Sequence, residues 1–182
     1  MNSKTNKMTR YKELKTKIES QYLDAKSVND MRFYLLCLMA LETGARVSDL
    51  LKLEFNSIDG NMINYLNYKS KIKQNQRITD SLKSHIERYK ETITVLGQYD
   101  RTIFYNPQKG KPMARMTANR RSQKEDNMNF HPFSKESGKN TASQKGVVIA
   151  SKFLGHSKVS ITDIYLGVSD EEYKKQMMEV DI

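Results

Sequence analysis

Apolar positions along the chain recur mostly with the period of a helix. Leu14, Ile18 and Tyr22 fall at i, i+4 within a polar stretch from Met8 to Leu23, which predicts a helix with a narrow apolar stripe. Ser27 or Asn29 can cap a second helix, whose Phe33, Leu36, Cys37, Ala40 and Leu41 make a broad apolar face. Gly44 ends it as a left-handed C-cap, and Val47, Leu50 and Leu51 mark a short third helix. The period then changes. Met62 to Tyr68 reads M-I-N-Y-L-N-Y after the turn signal Asp59-Gly60, and Gln76 to Thr79 offers a second strand. Residues 58–79 are therefore predicted to form a small antiparallel sheet with a Lys-rich connection. Leu82, Ile86 and Tyr89 mark another amphipathic helix, Ile103 to Asn106 is short and extended, and Pro107 to Pro112 is a basic loop. Residues 116–127 are polar, and either helical or poorly ordered. The helical period resumes at Ser134, interrupted at Gly146 and Gly155, and Ser169 with Glu172 forms a capping box for a last helix ending near Glu179. The expected fold class is mainly α with a small antiparallel β-sheet, an α+β arrangement. An N-terminal helical extension or linker is expected over 1–26, a folded body over 27–168 and a C-terminal helix over 169–182.

Composition narrows the partners. The 182 residues suit one domain, or one plus an arm, and 37% apolar residues are enough for a core. No stretch free of charged residues exceeds nine, Phe33 to Leu41 being one, against the roughly 20 that a membrane span needs. No secretory signal opens the chain. The single cysteine, Cys37, excludes an internal disulfide framework and suits the core. A cytoplasmic, basic globular protein is the expectation, with no membrane partner.

The position of the charge matters more than its total. Residues 1–60 carry 10 basic and 8 acidic side chains, and residues 125–182 carry 7 and 9. Residues 61–124 carry 14 basic and 4 acidic, an excess equal to the whole net charge of +10. A solvated Lys-rich face is the plainer explanation. A polyanion is the better one, because each cation near a phosphate releases condensed counterions.

Three segments carry candidate chemistry. Thr43-Gly44-Ala45-Arg46-Val47-Ser48-Asp49-Leu50-Leu51 sets an arginine just after a glycine break, one helical turn from Asp49, which is expected to hold its guanidinium fork in place. Ser70-Lys71-Ile72-Lys73 lies at the turn of the expected hairpin, with Lys71 eight residues before Thr79. His131, His156 and Tyr165 follow at separations of 25 and 9, the last two within Leu154-Gly155-His156-Ser157 and Ile164-Tyr165. At these residues the sequence resembles the catalytic domain of the tyrosine recombinases, also called phage-type integrases. The resemblance runs from about Asp30 to Val168.

That resemblance implies the tyrosine recombinase catalytic-domain fold and the cleavage and rejoining of duplex DNA. It implies a set of roles that the chemistry of phosphodiester cleavage makes intelligible. Tyr165 would attack the phosphate and leave a 3′-phosphotyrosine, with cations favouring its phenolate. Arg46 would clamp two phosphate oxygens with its planar fork. Lys71 would protonate the leaving 5′-oxygen, His131 would act as base or proton shuttle, and His156 would donate a hydrogen bond to the phosphate. Neither a metal nor another cofactor is needed, since the ester stores the bond energy. Lys69, Lys73, Arg77, Arg120 and Arg121 are the expected DNA contacts. Other recombinase protomers on DNA are the expected protein partners, with 169–182 a candidate docking helix. A prokaryotic or phage origin and a role in a mobile element are implied as well.

One position departs from the pattern. The second box of the family is H-x-x-R, and here it reads His131-Pro132-Phe133-Ser134, so serine stands where a second phosphate-binding arginine is expected. Either the enzyme is crippled, another cation fills the gap, or the site has been deliberately disarmed. Two alternatives therefore stay open beside the recombinase: a catalytically silent DNA-binding or regulatory module on the same fold, and a type IB topoisomerase, which the integrase-like Leu154-Gly155-His156 disfavours. The third histidine, His85, is expected at the surface of its helix. The tyrosines Tyr65 and Tyr68 are open to sheet packing or to stacking beside Arg77.

Overall fold

The computed structural model describes residues 2–125, 130–156 and 162. Helix α1 (Asn2–Leu23) leads into α2 (Val28–Thr43), and α2 is the axis of the fold. Ser27 caps it, its Oγ accepting the Asp30 amide at 3.1 Å, and Gly44 closes it at φ 63° with its amide on the Ala40 carbonyl. Every residue from Met31 to Thr43 except Tyr34 is buried. A helix apolar on all sides must be packed on all sides. Its neighbours are α1, α4 (Asp80–Val95) and α6 (Phe130–Lys145). Ile18 and Tyr22 of α1, Leu82, Ile86 and Tyr89 of α4, and Phe133 of α6 complete the core.

Two charges are buried along α2. Glu42 receives Lys15 Nζ of α1 at 2.7 Å, and the Thr79 amide and hydroxyl at 3.1 and 2.8 Å. Thr79 in turn caps α4, so one carboxylate ties three helices together. Arg32 donates to Tyr89 Oη at 2.8 Å and to Asn29 Oδ1 at 2.7 Å.

After α3 (Val47–Leu50) and a short 3₁₀ turn, strands β1 (Ile58–Asp59), β2 (Met62–Asn67) and β3 (Ile72–Arg77) form an antiparallel sheet in that order. Ile63 stands opposite Gln76, and Asn67 opposite Ile72. The inward positions of β2 are Ile63, Tyr65 and Asn67, and Gln74 and Gln76 face inward from β3. The inner face thus turns from apolar to polar toward the hairpin tip. Strands β4 (Tyr105–Asn106) and β5 (Lys111–Pro112) pair as a second, minimal hairpin, so the basic 107–112 loop ends in a ladder. Helices α5 (Arg115–Lys124), α6 and α7 (Val147–Phe153) follow.

Four expectations need correcting. Helix α1 starts at Asn2 rather than Met8. Helix α6 starts at Phe130, not Ser134, because Pro132 sits in the first turn, where a missing N–H costs no helix hydrogen bond. The expected strand Gln76 to Thr79 is instead Ile72–Arg77, and Thr79 is a helix cap. His85 is half-buried rather than on the surface. Its ring lies 4.7 Å from that of Tyr22, the Tyr22 hydroxyl donates to its carbonyl at 2.7 Å, and burial lowers its pKa below the usual 6.5. The last helix, predicted near 169–179, lies outside the described residues. Among those described, no helix is long and apolar enough to cross a membrane.

Candidate active site

The two glycine motifs build the site by leaning on each other. Thr43 Oγ1 donates to the Met39 carbonyl at 2.6 Å and accepts the Ala45 amide at 3.2 Å, fixing how the chain leaves α2. A Cβ on Gly44 would stand 2.7 Å from Phe153 Cε1 and 3.1 Å from Leu154 Cδ2. No side chain fits there, and the left-handed φ asks for glycine in any case. On the other side, Gly155 turns the chain at φ 65°, and its Cβ would stand 2.8 Å from Asn67 Nδ2 and 3.0 Å from Gln74 Nε2. The His156 amide returns to the Ser151 carbonyl at 3.0 Å. Gln76 Nε2 donates to the Phe153 carbonyl at 2.7 Å, so the polar tip of the sheet satisfies the C-terminal end of α7. Arg46 and His156 emerge from the two interlocked turns into the same space.

That space is a cavity of about 620 Å³. Among the described residues its charged lining is Arg46, Lys69 and Arg115, joined by Ser70, Asn119, Ser134 and His156, with no carboxylate. Such a donor set attracts an anion and repels a metal cation. Arg46 Nη1 donates to Asn67 Oδ1 at 2.7 Å, and the Ser70 amide donates to the same oxygen at 3.2 Å. His156 Nδ1 lies 2.8 Å from Thr162 Oγ1. Burial, then the charges of Arg46 and Lys69, lower the His156 pKa from the usual 6.5.

Asp49, one turn from Arg46, does not hold its guanidinium; Asn67 does. Asp49 Oδ1 faces the Tyr68 amide at 3.4 Å, while Oδ2 is buried without a hydrogen-bond partner. Burial raises its pKa above the usual carboxylate range.

Of the five residues expected to act on the phosphate, the structure brings Arg46 and His156 together at the cavity. Lys71 is exposed at φ 57° in the β2–β3 turn, outside the cavity lining. Its Nζ rests 3.7 Å from the Tyr68 ring centroid, with Lys52 Nζ 4.0 Å from the same ring. His131 lies in the first turn of α6, its side chain outside the described residues, as is Tyr165. Ser134 lines the cavity. Of the expected DNA contacts, Lys69 lines it too, whereas Lys73 and Arg77 are exposed on the outer register of β3 and Arg120 is exposed on α5. Arg121 is engaged elsewhere, with Asp30 at 2.5 Å, Glu125 at 2.7 Å and the Phe33 ring at 4.4 Å. Sequence reasoning missed Asn67, Arg115 and Asn119. Asn67 had a signal, a polar residue at an inward strand position; Arg115 and Asn119 had only their i, i+4 spacing.

A profile of the Phage integrase family matches residues 11–172. The chain belongs to this family. Its fold is the phage integrase catalytic-domain fold, mostly helical with a small antiparallel sheet. XerA recombinase is similar in structure, with a TM-score of 0.70 at 16% identity over 91% of this chain and 64% of that one. A lambda integrase dimer bound to a COC′ core site gives 0.62 at 19% identity over 84% and 56%. The Tn1549 transposon integrase in complex with transposon right end DNA gives 0.65 at 14% identity over 91% and 63%. The chain therefore spans 56–64% of the length of those three chains. No curated protein sequence matches it.

Proposed function

We propose that this chain is the catalytic part of a site-specific recombinase that cleaves and rejoins duplex DNA through Tyr165. The observation that carries the reading is the meeting of Arg46, His156 and Lys69 in one cavity that, among the described residues, no carboxylate lines. A scissile phosphate placed there takes two charge-assisted hydrogen bonds from the Arg46 fork and one from His156. The Tyr165 phenol gives its proton to His131 as its oxygen attacks phosphorus. The bond from phosphorus to the 5′-oxygen breaks, and that oxygen takes a proton from a lysine. The product is a 3′-phosphotyrosine and a free 5′-hydroxyl, and attack by a 5′-hydroxyl reverses the step.

Lys71 is the proton donor on the family pattern, and it reaches the phosphate once its ammonium leaves the Tyr68 ring. Lys69 already lines the cavity. Duplex DNA is the partner, held by the cations around the cavity, with further recombinase protomers beside it. The lambda integrase relative is a dimer on its site. Ser134, uncharged in the cavity lining, favours one rival: a DNA-binding module of the same fold that does not cut.

The test is a pool of nicked duplexes with randomised flanks, incubated with the full chain and run on a denaturing gel. The expected result is a covalent protein–DNA band that Tyr165→Phe abolishes. Binding without any band, from wild type or from Ser134→Arg, refutes cleavage and leaves the silent module.

A further inference from the structure

We infer that Arg115, at the start of α5, is the second phosphate clamp, taking the place of the arginine that Ser134 lacks. The inference rests on the recombinase reading above. It begins with an inventory of the cations near the gap. The chain offers Lys135 beside Ser134, and Arg115, Arg120 and Arg121 on α5. Lys135 follows Ser134 on a helix, so its side chain leaves about 100° away, and it does not line the cavity. Arg120 does not line it either. Arg121 is spent on Asp30, Glu125 and the Asn29 carbonyl. Besides Arg46, the described cations that line the cavity are Lys69, on the hairpin turn that also carries the candidate proton donor, and Arg115, which alone of the two has a planar fork for two phosphate oxygens and shares the lining with Ser134 and His156.

Three further features fit that role. The first turn of α5 contains no acidic residue, and among the described residues no carboxylate pairs with Arg115. Arg115 and Asn119 sit at i, i+4 on one face of α5, both on the cavity, so a guanidinium and an amide face the same anion. The side chain at 134 is short and uncharged, so in the cavity that both residues line it leaves space for the Arg115 guanidinium. The role is catalytic in the strict sense: Arg115 touches the phosphate oxygens and stabilises the charge that builds on them.

Single-turnover cleavage of the duplex recovered from the nicked pool, at saturating DNA, tests this with Arg115→Ala, Arg115→Lys, Ser134→Arg and the double variant Arg115→Ala/Ser134→Arg. Arg115 is exposed, so Arg115→Ala keeps the fold, checked by its thermal midpoint. The expected loss in Arg115→Ala is about 10²–10³ in rate, as for removal of one preorganised donor to a transition state. Arg115→Lys recovers part of it. Ser134→Arg restores at least tenfold in the Arg115→Ala background and changes the wild type little, because the two arginines serve one position.

A rate in Arg115→Ala equal to that of wild type at saturating DNA overturns the inference, whatever happens to affinity. So does a Ser134→Arg gain of the same size with and without Arg115. A Tyr165-dependent band from Ser134→Arg but not from wild type also overturns it, while leaving the recombinase reading intact. Absence of the band from both removes the reading itself, and the inference with it.

Discussion

Asn67 is the sharpest point at which to press on this site. Its Oδ1 accepts a charged hydrogen bond from Arg46 at 2.7 Å and a neutral one from the Ser70 amide at 3.2 Å, and its Nδ2 lies where a side chain on Gly155 would stand. One buried amide thus touches the arginine turn, the hairpin turn and the histidine turn. Asn67→Ala removes one hydrogen bond to a charged group, about 1.5–3 kcal/mol, and one neutral hydrogen bond, about 0.5–1.5 kcal/mol. Arg46 is only half-buried, so water takes up part of that loss, and about 2 kcal/mol is the expected destabilisation. In a domain of this size that is roughly 4–8 °C in thermal midpoint. Charge is unchanged, so the slope of DNA affinity against salt is unchanged too, while cleavage falls by about a hundredfold because the clamp is misplaced. Asn67→Asp separates placement from charge. It keeps the acceptor and the fold but sets a carboxylate against Arg46, so stability holds while the salt slope drops by about one phosphate contact. Urea denaturation and the anisotropy of a labelled duplex across a salt series measure both. Destabilisation below about 0.5 kcal/mol in Asn67→Ala, or a wild-type salt slope in Asn67→Asp, refutes the reasoning, since a typical single hydrogen bond exceeds the first figure.

Three other outcomes follow from the same geometry. Gly155→Ala places a Cβ 2.8 Å from Asn67 Nδ2 at a left-handed φ, so a loss of about 2–4 kcal/mol in denaturation is expected from strain and overpacking together. Arg121→Ala loses its bonds to Asp30, Glu125 and Asn29 and its place over Phe33; stability should fall by about 1–3 kcal/mol with the DNA salt slope untouched, and a change in that slope would return Arg121 to the DNA contacts. The pKa values of His156 and His85 are both lowered by burial, so the unfolded chain takes up protons first and stability declines as pH falls below about 6.5 toward the lowered values. Titration by NMR should find both rings below 6.5, with inorganic phosphate raising His156 alone; a His156 value at or above 6.5 in the free protein contradicts the burial argument.

How much was legible in the sequence differs element by element, for physical reasons. The caps were legible because Ser27 and Gly44 act through their own chemistry, and so was the buried α2, whose apolar run needs no partner to be read. The start of α6 was not, because Pro132 reads as a stop wherever its position within a turn is unknown. His85 read as polar and therefore exposed; only the fold brings the Tyr22 ring to it. At the site, Arg46 and His156 were legible through the motifs that resemble the recombinase family, each of which sets its residue just after a glycine turn. What holds Arg46 was misread as Asp49, because helical spacing shows which neighbours share a turn and says nothing of a strand end packed from across the fold. Arg115 was invisible for the same reason: its relevance is a distance between helices.

The contact between Gly44 and the ring of Phe153 has a consequence in time as well as in space. The two residues are 109 positions apart, and at the usual pace of synthesis, about 5–20 residues per second, the first leaves the ribosome roughly 5–20 s before the second. Through that interval the arginine turn lacks the Phe153 wall, and only Asn67 can hold the Arg46 guanidinium. A half-made chain carries Arg46 without the wall that aims it, and the histidine turn arrives already coupled to its counterpart. A site that breaks DNA strands is thereby completed late: Phe153, which walls the arginine turn, and His156 and Tyr165, proposed to act with it, all lie in the last part of the chain.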